Sequence, residues 1–227
     1  MKNKITIWTT TALLLLAMLH TPTTALSTPS SRKVALVIAI SKFEEEWCAS
    51  YPQIAEAGEL FAKRIKERGY IVVSRIGAVT KEEFKEAFSE VKDLEPVRVV
   101  IYIHTHGHVF GLACYEKDTI ITPEELVELI KELGEVVDLV WISACFSEPM
   151  KKYRYLIIGV MKDVKAIYCG YKGFGIADDH EDDIPNFFYG IDEGWSVEES
   201  LKYMSKVNEP KLERIGIEDY YPGDLYL

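Results

Sequence analysis

Residues Val97–His108 read VRVVIYIHTHGH. Val97–Ile103 is largely apolar and β-branched, the composition of a strand buried on both faces. The character then changes, and His104-Thr105-His106-Gly107-His108 places imidazoles and a glycine where the strand ends. Val137–Cys145 reads VDLVWISAC and repeats the arrangement: a strand over Val137–Ile142, then Ser143-Ala144-Cys145. Outward from this pair, Val34–Ile40 (VALVIAI), Tyr70–Val73 and Val164–Tyr168 (VKAIY) read as further strands.

Helical patterns separate them. Ile54, Ala57, Phe61 and Ile65 recur at helical spacing before Gly69. Thr80 with Glu83, and Thr122 with Glu125, have the spacing in which side chain and backbone cap each other at a helix start. Their apolar stripes are Phe84, Ala87, Phe88 and Val91, then Leu126, Leu129, Ile130 and Leu133, with Gly134 as the stop. A hairpin is expected between Val109 and Ile121. Ser196 with Glu199 opens a last helix carrying Val197, Leu201, Met204 and Val207. Strands alternating with helices predict an α/β fold, a three-layer α-β-α sandwich around a mostly parallel central sheet. In such sheets chemistry gathers beyond the carboxyl ends of the strands.

The N-terminus has a different character. Lys2 and Lys4 precede an apolar stretch from Ile5 to Leu19, and Thr23 and Ala25 are small residues suited to a cut after Ala25. This is the layout of a secretory signal peptide over residues 1–25. Residues 26–32 then form a flexible lead-in, 33–208 the folded domain and 209–227 a tail that either caps the core or blocks the cleft. Such a protein is expected outside the cell, with no membrane attachment after cleavage.

The 227 residues carry 26 Lys+Arg against 36 Asp+Glu, a net charge of −10. That balance argues against nucleic acid and anionic membrane surfaces, both of which need clustered cations. One glutamine (Gln53) and three asparagines beside abundant Glu and Lys lean towards a thermophile. Nothing in the residues bears on oligomeric state.

The two strand ends carry the reactive groups. If their strands are neighbours, His106 and Cys145 meet at one sheet edge. A thiol is a nucleophile as its thiolate, and an imidazole can take its proton and later protonate a leaving amine. The N–H groups of Gly107 and Cys145 could bind a developing oxyanion. Of the four cysteines, Cys48, Cys114, Cys145 and Cys169, a catalytic Cys145 leaves three, hence at most one disulfide.

An apolar strand ending in His-Gly, followed by one ending in Ala-Cys, resembles the caspase-fold cysteine peptidases, a clan that includes caspases, metacaspases, legumains, gingipains and clostripain. The resemblance runs from about Val34 to about Val207. It takes in the Gly69-Tyr70 turn, Ala166–Tyr171, Phe187-Phe188-Tyr189 and Gly194–Leu201. It implies a caspase-like fold and peptide-bond hydrolysis, with His106 as base and acid, Cys145 as nucleophile, and the Gly107 and Cys145 N–H groups as oxyanion hole. It implies no cofactor and a peptide or protein substrate. Adjacency of the first and third strands in that clan further implies a Cys48–Cys114 disulfide, with Cys169 buried.

Two departures stand out. Legumains and metacaspases usually carry an acid two residues before the nucleophile, beneath the substrate side chain; here the residue is Ser143. The run Phe146-Ser147-Glu148-Pro149 also lacks the glycine that often follows the cysteine. A basic residue before the cut is expected only if Asp178 or Asp179 turns into the cleft; otherwise Ser143 suits a small or polar residue such as Asn.

Other readings remain open on sequence alone. One is a caspase-like domain without activity that binds a partner. Another is a zinc hydrolase using His104, His106 and His108, which alternate as strand residues do. Residues two apart on a strand are ~6.6 Å apart, awkward for ligands ~2 Å from one ion. The acidic run Asp178–Asp183 reads as a solvated loop or a structural calcium site.

Overall fold

The computed structural model describes residues 31–44, 49–108, 110–145, 151–171, 182–207 and 215–227. The expected signal peptide and most of the lead-in, Trp47, Cys48, Phe146–Pro149, Asp178, Asp179 and the start of the tail lie outside the described residues.

Four consecutive crossovers build the sheet. Strand β1 (Lys33–Ile40) leads through helix α1 (Pro52–Lys66) to β2 (Ile71–Gly77). Helix α2 (Lys81–Asp93) returns the chain to β3 (Arg98–His104). Three short strands follow, β4 (Gly107–His108), β5 (Gly111–Ala113) and β6 (Ile120–Ile121), then α3 (Pro123–Leu133) and β7 (Val137–Ser143). Helix α4 (Lys151–Val164), β8 (Ile167–Tyr171), α5 (Asp183–Asp192), α6 (Val197–Val207) and β9 (Ile215–Asp219) complete the order. The main sheet runs β2-β1-β3-β7-β8-β9, parallel except for β9, and β4-β5-β6 form a second, antiparallel sheet. This is the α-β-α architecture expected from the alternation. Among the described residues no helix is long and apolar enough to cross a membrane.

Side-chain alternation divides the core. Leu36, Ile38, Ile101, Ile103, Val140 and Ile142 face α2, α3 and α4. Val37, Val100, Tyr102, Trp141 and Cys169 face α1, α5 and α6. Both threonine caps close as their spacing predicts: Glu83 N–H donates to Thr80 Oγ1 at 3.1 Å and Glu125 N–H to Thr122 Oγ1 at 3.2 Å. Gly134 at φ 73° stops α3, a conformation L side chains rarely adopt.

Three boundaries differ from the sequence reading. The fifth parallel strand is Ile167–Tyr171, because Val164 belongs to α4, whose stripe Ile157, Val160, Met161 and Val164 packs on the sheet. Lys165, at φ 59°, ends that helix. Asp183 is not part of a solvated loop: it is 3% exposed in the first turn of α5. The segment expected as a separate tail supplies the sheet's sixth strand, with Cys169 opposite Ile217 and Leu225 in the core. Its described part therefore caps the core.

Candidate active site

Parallel pairing of β3 with β7 sets His104 opposite Ser143, so the two strand ends that carry the candidate residues share one edge. Beyond this register the chain is pinned by polar contacts. Thr105 N–H donates to Ser143 O at 3.3 Å and Thr105 Oγ1 to Ala113 O at 2.8 Å. The Ala113 N–H in turn donates to His106 O at 2.9 Å. The small second sheet thus holds the His106 backbone against the edge of the large one.

Gly107 is where the two ends touch. A Cβ on Gly107 would lie 1.7 Å from the Cys145 carbonyl oxygen and 2.8 Å from its nitrogen. Any side chain there would force the strands apart, so glycine is required by close approach. The backbones of Gly107 and Cys145, the expected oxyanion-hole pair, are therefore in contact.

The His106 ring is seated by neighbours that sequence reasoning missed. Its Nε2 lies 2.9 Å from the Ala49 carbonyl oxygen. A carbonyl only accepts, so Nε2 carries the proton of the neutral ring and Nδ1 is left basic. Phe43 lies 4.8 Å from the ring in a tilted contact and Tyr51 5.3 Å in an edge contact. A backbone acceptor has no residue-type signature, and the aromatic pair lies after β1, far from the motif in sequence.

Behind Ser143 lies a buried polar cluster. The Tyr102 hydroxyl is 3.2 Å from His104 Nδ1 and hydrogen-bonded with Ser143. The Tyr171 hydroxyl donates to the Asp183 carboxylate. Burial first, and then the negative charge of Asp183, pushes the Tyr102 and Tyr171 hydroxyls and the Cys169 thiol well up from their ordinary values. Burial also pushes the Cys114 thiol up to about 12. Cys145, by contrast, is partly exposed.

Other sequence-level candidates are placed differently. Cys114 is a free thiol, 2% exposed, rather than half of the expected Cys48–Cys114 disulfide. The end of β5 packs it into the core beneath α2 and α3. The three histidines do not converge as zinc ligands. His104 is buried beside Tyr102, His106 turns to Ala49, and His108 lies against Phe110 with ring centroids 5.1 Å apart. Among the described residues no group of three or more His, Cys, Asp or Glu could hold a metal ion. Of the acidic run, Asp182 and Asp183 alone are described.

This architecture has counterparts among solved structures. One titled "structure of pro-sf-caspase-1" superposes with a TM-score of 0.63 at 13% sequence identity, covering 87% of this chain and 95% of that one. The chain has a caspase-like fold. No family model and no curated protein sequence matches it. The shared fold, at this identity, carries the architecture and not the individual residues.

Proposed function

We propose that the chain is a secreted cysteine endopeptidase working through His106 and Cys145. The observation that carries the reading is the contact of Gly107 with the Cys145 backbone, beside a histidine whose Nε2 is committed to Ala49 O. His106 Nδ1 takes the Cys145 proton, and the thiolate attacks the scissile carbonyl carbon. The negative oxygen of the tetrahedral intermediate is held by the Gly107 and Cys145 N–H groups. The imidazolium then gives its proton to the departing amine, leaving a thioester on Cys145. Water, deprotonated by His106, attacks the thioester; the acid leaves and the thiol is restored. The Ala49 carbonyl holds the ring in one tautomer and steadies the imidazolium.

On the acyl side the reading places Ser143, buried and hydrogen-bonded with Tyr102. This suits a small or polar residue before the cut, and a basic one where Asp178 or Asp179 turns in. A positional peptide library on wild type, Asp178→Asn and Asp179→Asn separates these. The deciding test of the peptidase reading is iodoacetamide labelling with mapping of the modified residue. Selective, pH-dependent labelling of Cys145, with peptide hydrolysis lost in Cys145→Ala, supports it. Equal labelling of every thiol with no hydrolysis points to a binding domain instead.

A further inference from the structure

A cavity of about 200 Å³ opens beside His106, walled by Phe43, Phe110, Ala113 and Ile120 together with His106 and Gly107. It lies against the β4-β5-β6 sheet, whose Leu112 and Ile121, with Cys114 directly after β5, belong to the core shared with Ile103 and Ile142. Ser143 lies on the other side, because it alternates with Ile142 and bonds Tyr102, whose ring faces the opposite core. The reactive pair is therefore flanked by two different environments: polar on the Ser143 side, apolar on the His106 side.

The chemistry proposed above assigns these sides. His106 protonates the departing amine, and that nitrogen belongs to the residue following the cut bond. Its side chain leaves the backbone next to the imidazole, where the cavity begins. Resting on the peptidase reading, we infer that this cavity is the subsite for a large apolar side chain on the residue after the scissile bond. An apolar cavity of ~150 Å³ holds a benzene ring, so the volume admits a Leu, Met or Phe side chain. Two phenylalanines, an isoleucine and an alanine supply the apolar wall, and Phe110, 59% exposed, sits at the mouth. The rim carries Glu116 and Asp118, and among the described residues no Lys or Arg lines it. Glu116 accepts the Lys81 N–H at 3.0 Å, which orients one carboxylate without removing the negative character of the rim. An acidic side chain in that position meets both the apolar wall and like charge.

The experiment is digestion of a proteome-derived peptide mixture under reducing conditions, followed by mass-spectrometric reading of each new N-terminus. Matched peptides differing only after the cut, with Leu, Gly or Asp there, then give ratios of kcat/KM. For the wild type the expected order is Leu over Gly over Asp, with at least tenfold between the extremes. In Phe110→Ala and in Ile120→Asp the Leu-to-Gly ratio should fall at least threefold. A ratio taken within one variant does not depend on how much of it is folded. Cleavage with all three peptides within twofold of one another overturns the subsite and leaves the peptidase reading standing. So does a preference that neither variant changes. Absence of cleavage of any peptide overturns the peptidase reading, and this subsite with it.

Discussion

At the scale of single residues, the tightest constraint is the approach of Gly107 to Cys145. Gly107→Ala inserts a methyl group into space 1.7 Å from a backbone oxygen that cannot move without its strand. On the proposed mechanism the displaced Gly107 N–H no longer reaches the oxyanion; loss of one such donor typically costs ~10²–10³ in kcat, and a fall of about that size is expected in a fluorogenic peptide assay, with the far-ultraviolet circular dichroism retained. On the same proposed mechanism His106→Ala should cost ~10²–10⁴ in kcat, the usual worth of a positioned acid–base group. Labelling separates the three described thiols. Burial pushes Cys114 up to about 12 and Cys169 well above the ordinary thiol range. Both stay protonated at pH 8 and should remain unmodified by iodoacetamide while Cys145 reacts; prompt modification of Cys114 in the folded protein contradicts the burial argument. Residue types and spacing made His106, Gly107 and Cys145 legible as candidates, since they directly follow the ends of two apolar strands. Ala49 was not legible, because its contribution is a carbonyl that every residue possesses.

At the scale of elements, two helix starts and one strand pair govern stability. Thr80→Ala and Thr122→Ala each remove a closed capping box and should cost ~1 kcal/mol, read as a shift in urea midpoint at unchanged slope. Glu125 does more than cap α3: it accepts from Lys81 at 2.8 Å and Lys85 at 2.9 Å, tying α3 to α2. Burial works to raise its carboxyl, but hydrogen bonds from Lys81, the Thr122 N–H and Lys85 outweigh it and hold the group at about 2, below its ordinary 4.5. A depressed carboxyl stabilises the fold above its unfolded pKa, and the contribution fades as pH falls towards the folded one. The stability deficit of Glu125→Gln should therefore be full at pH 6 and shrink between about 4.5 and 2, measured by denaturant titration across that range. A deficit independent of pH would show that charge is not its source. At the β3–β7 junction, Arg98 Nε donates to the buried Asp138 carboxylate at 2.6 Å. Arg98→Met orphans that carboxylate and should cost ~3–5 kcal/mol.

For the whole molecule, the topology explains why distant segments meet. The order β2-β1-β3-β7-β8-β9 makes β3 and β7 neighbours, so a single helical crossover returns the chain to the same edge. Adjacency of β1 and β3 brings the segment after β1, with Phe43, Ala49 and Tyr51, over the His106 ring. The proposed secretion makes a further expectation: expressed in an export-competent host, the protein recovered from the medium should begin at Leu26, as read by N-terminal sequencing. Recovery with Met1 intact, inside the cells, would contradict it. In a non-reduced digest of that material Cys114 should appear as a thiol, in keeping with its burial in the core.

The sequence by itself determined the alternation of elements, the three capped helix starts at Thr80, Thr122 and Ser196, and the two strand ends that carry the candidate residues. These depend on local periodicity and on interactions spanning three or four residues, so a linear reading reaches them. The helix over Asp183–Asp192 and the strand over Ile215–Asp219 escaped such a reading. Acidic and mixed segments take their structure from what they pack against, here Tyr171 for Asp183 and β8 for Ile217. Tertiary structure alone decided that Cys114 is a core thiol, that the three alternating histidines part company and that a carbonyl from after β1 holds His106. The Ala49 contact spans 57 residues and the burial of Cys114 depends on α2 and α3, while the histidines part according to which face of the sheet each occupies. None of the three is written in the residue concerned.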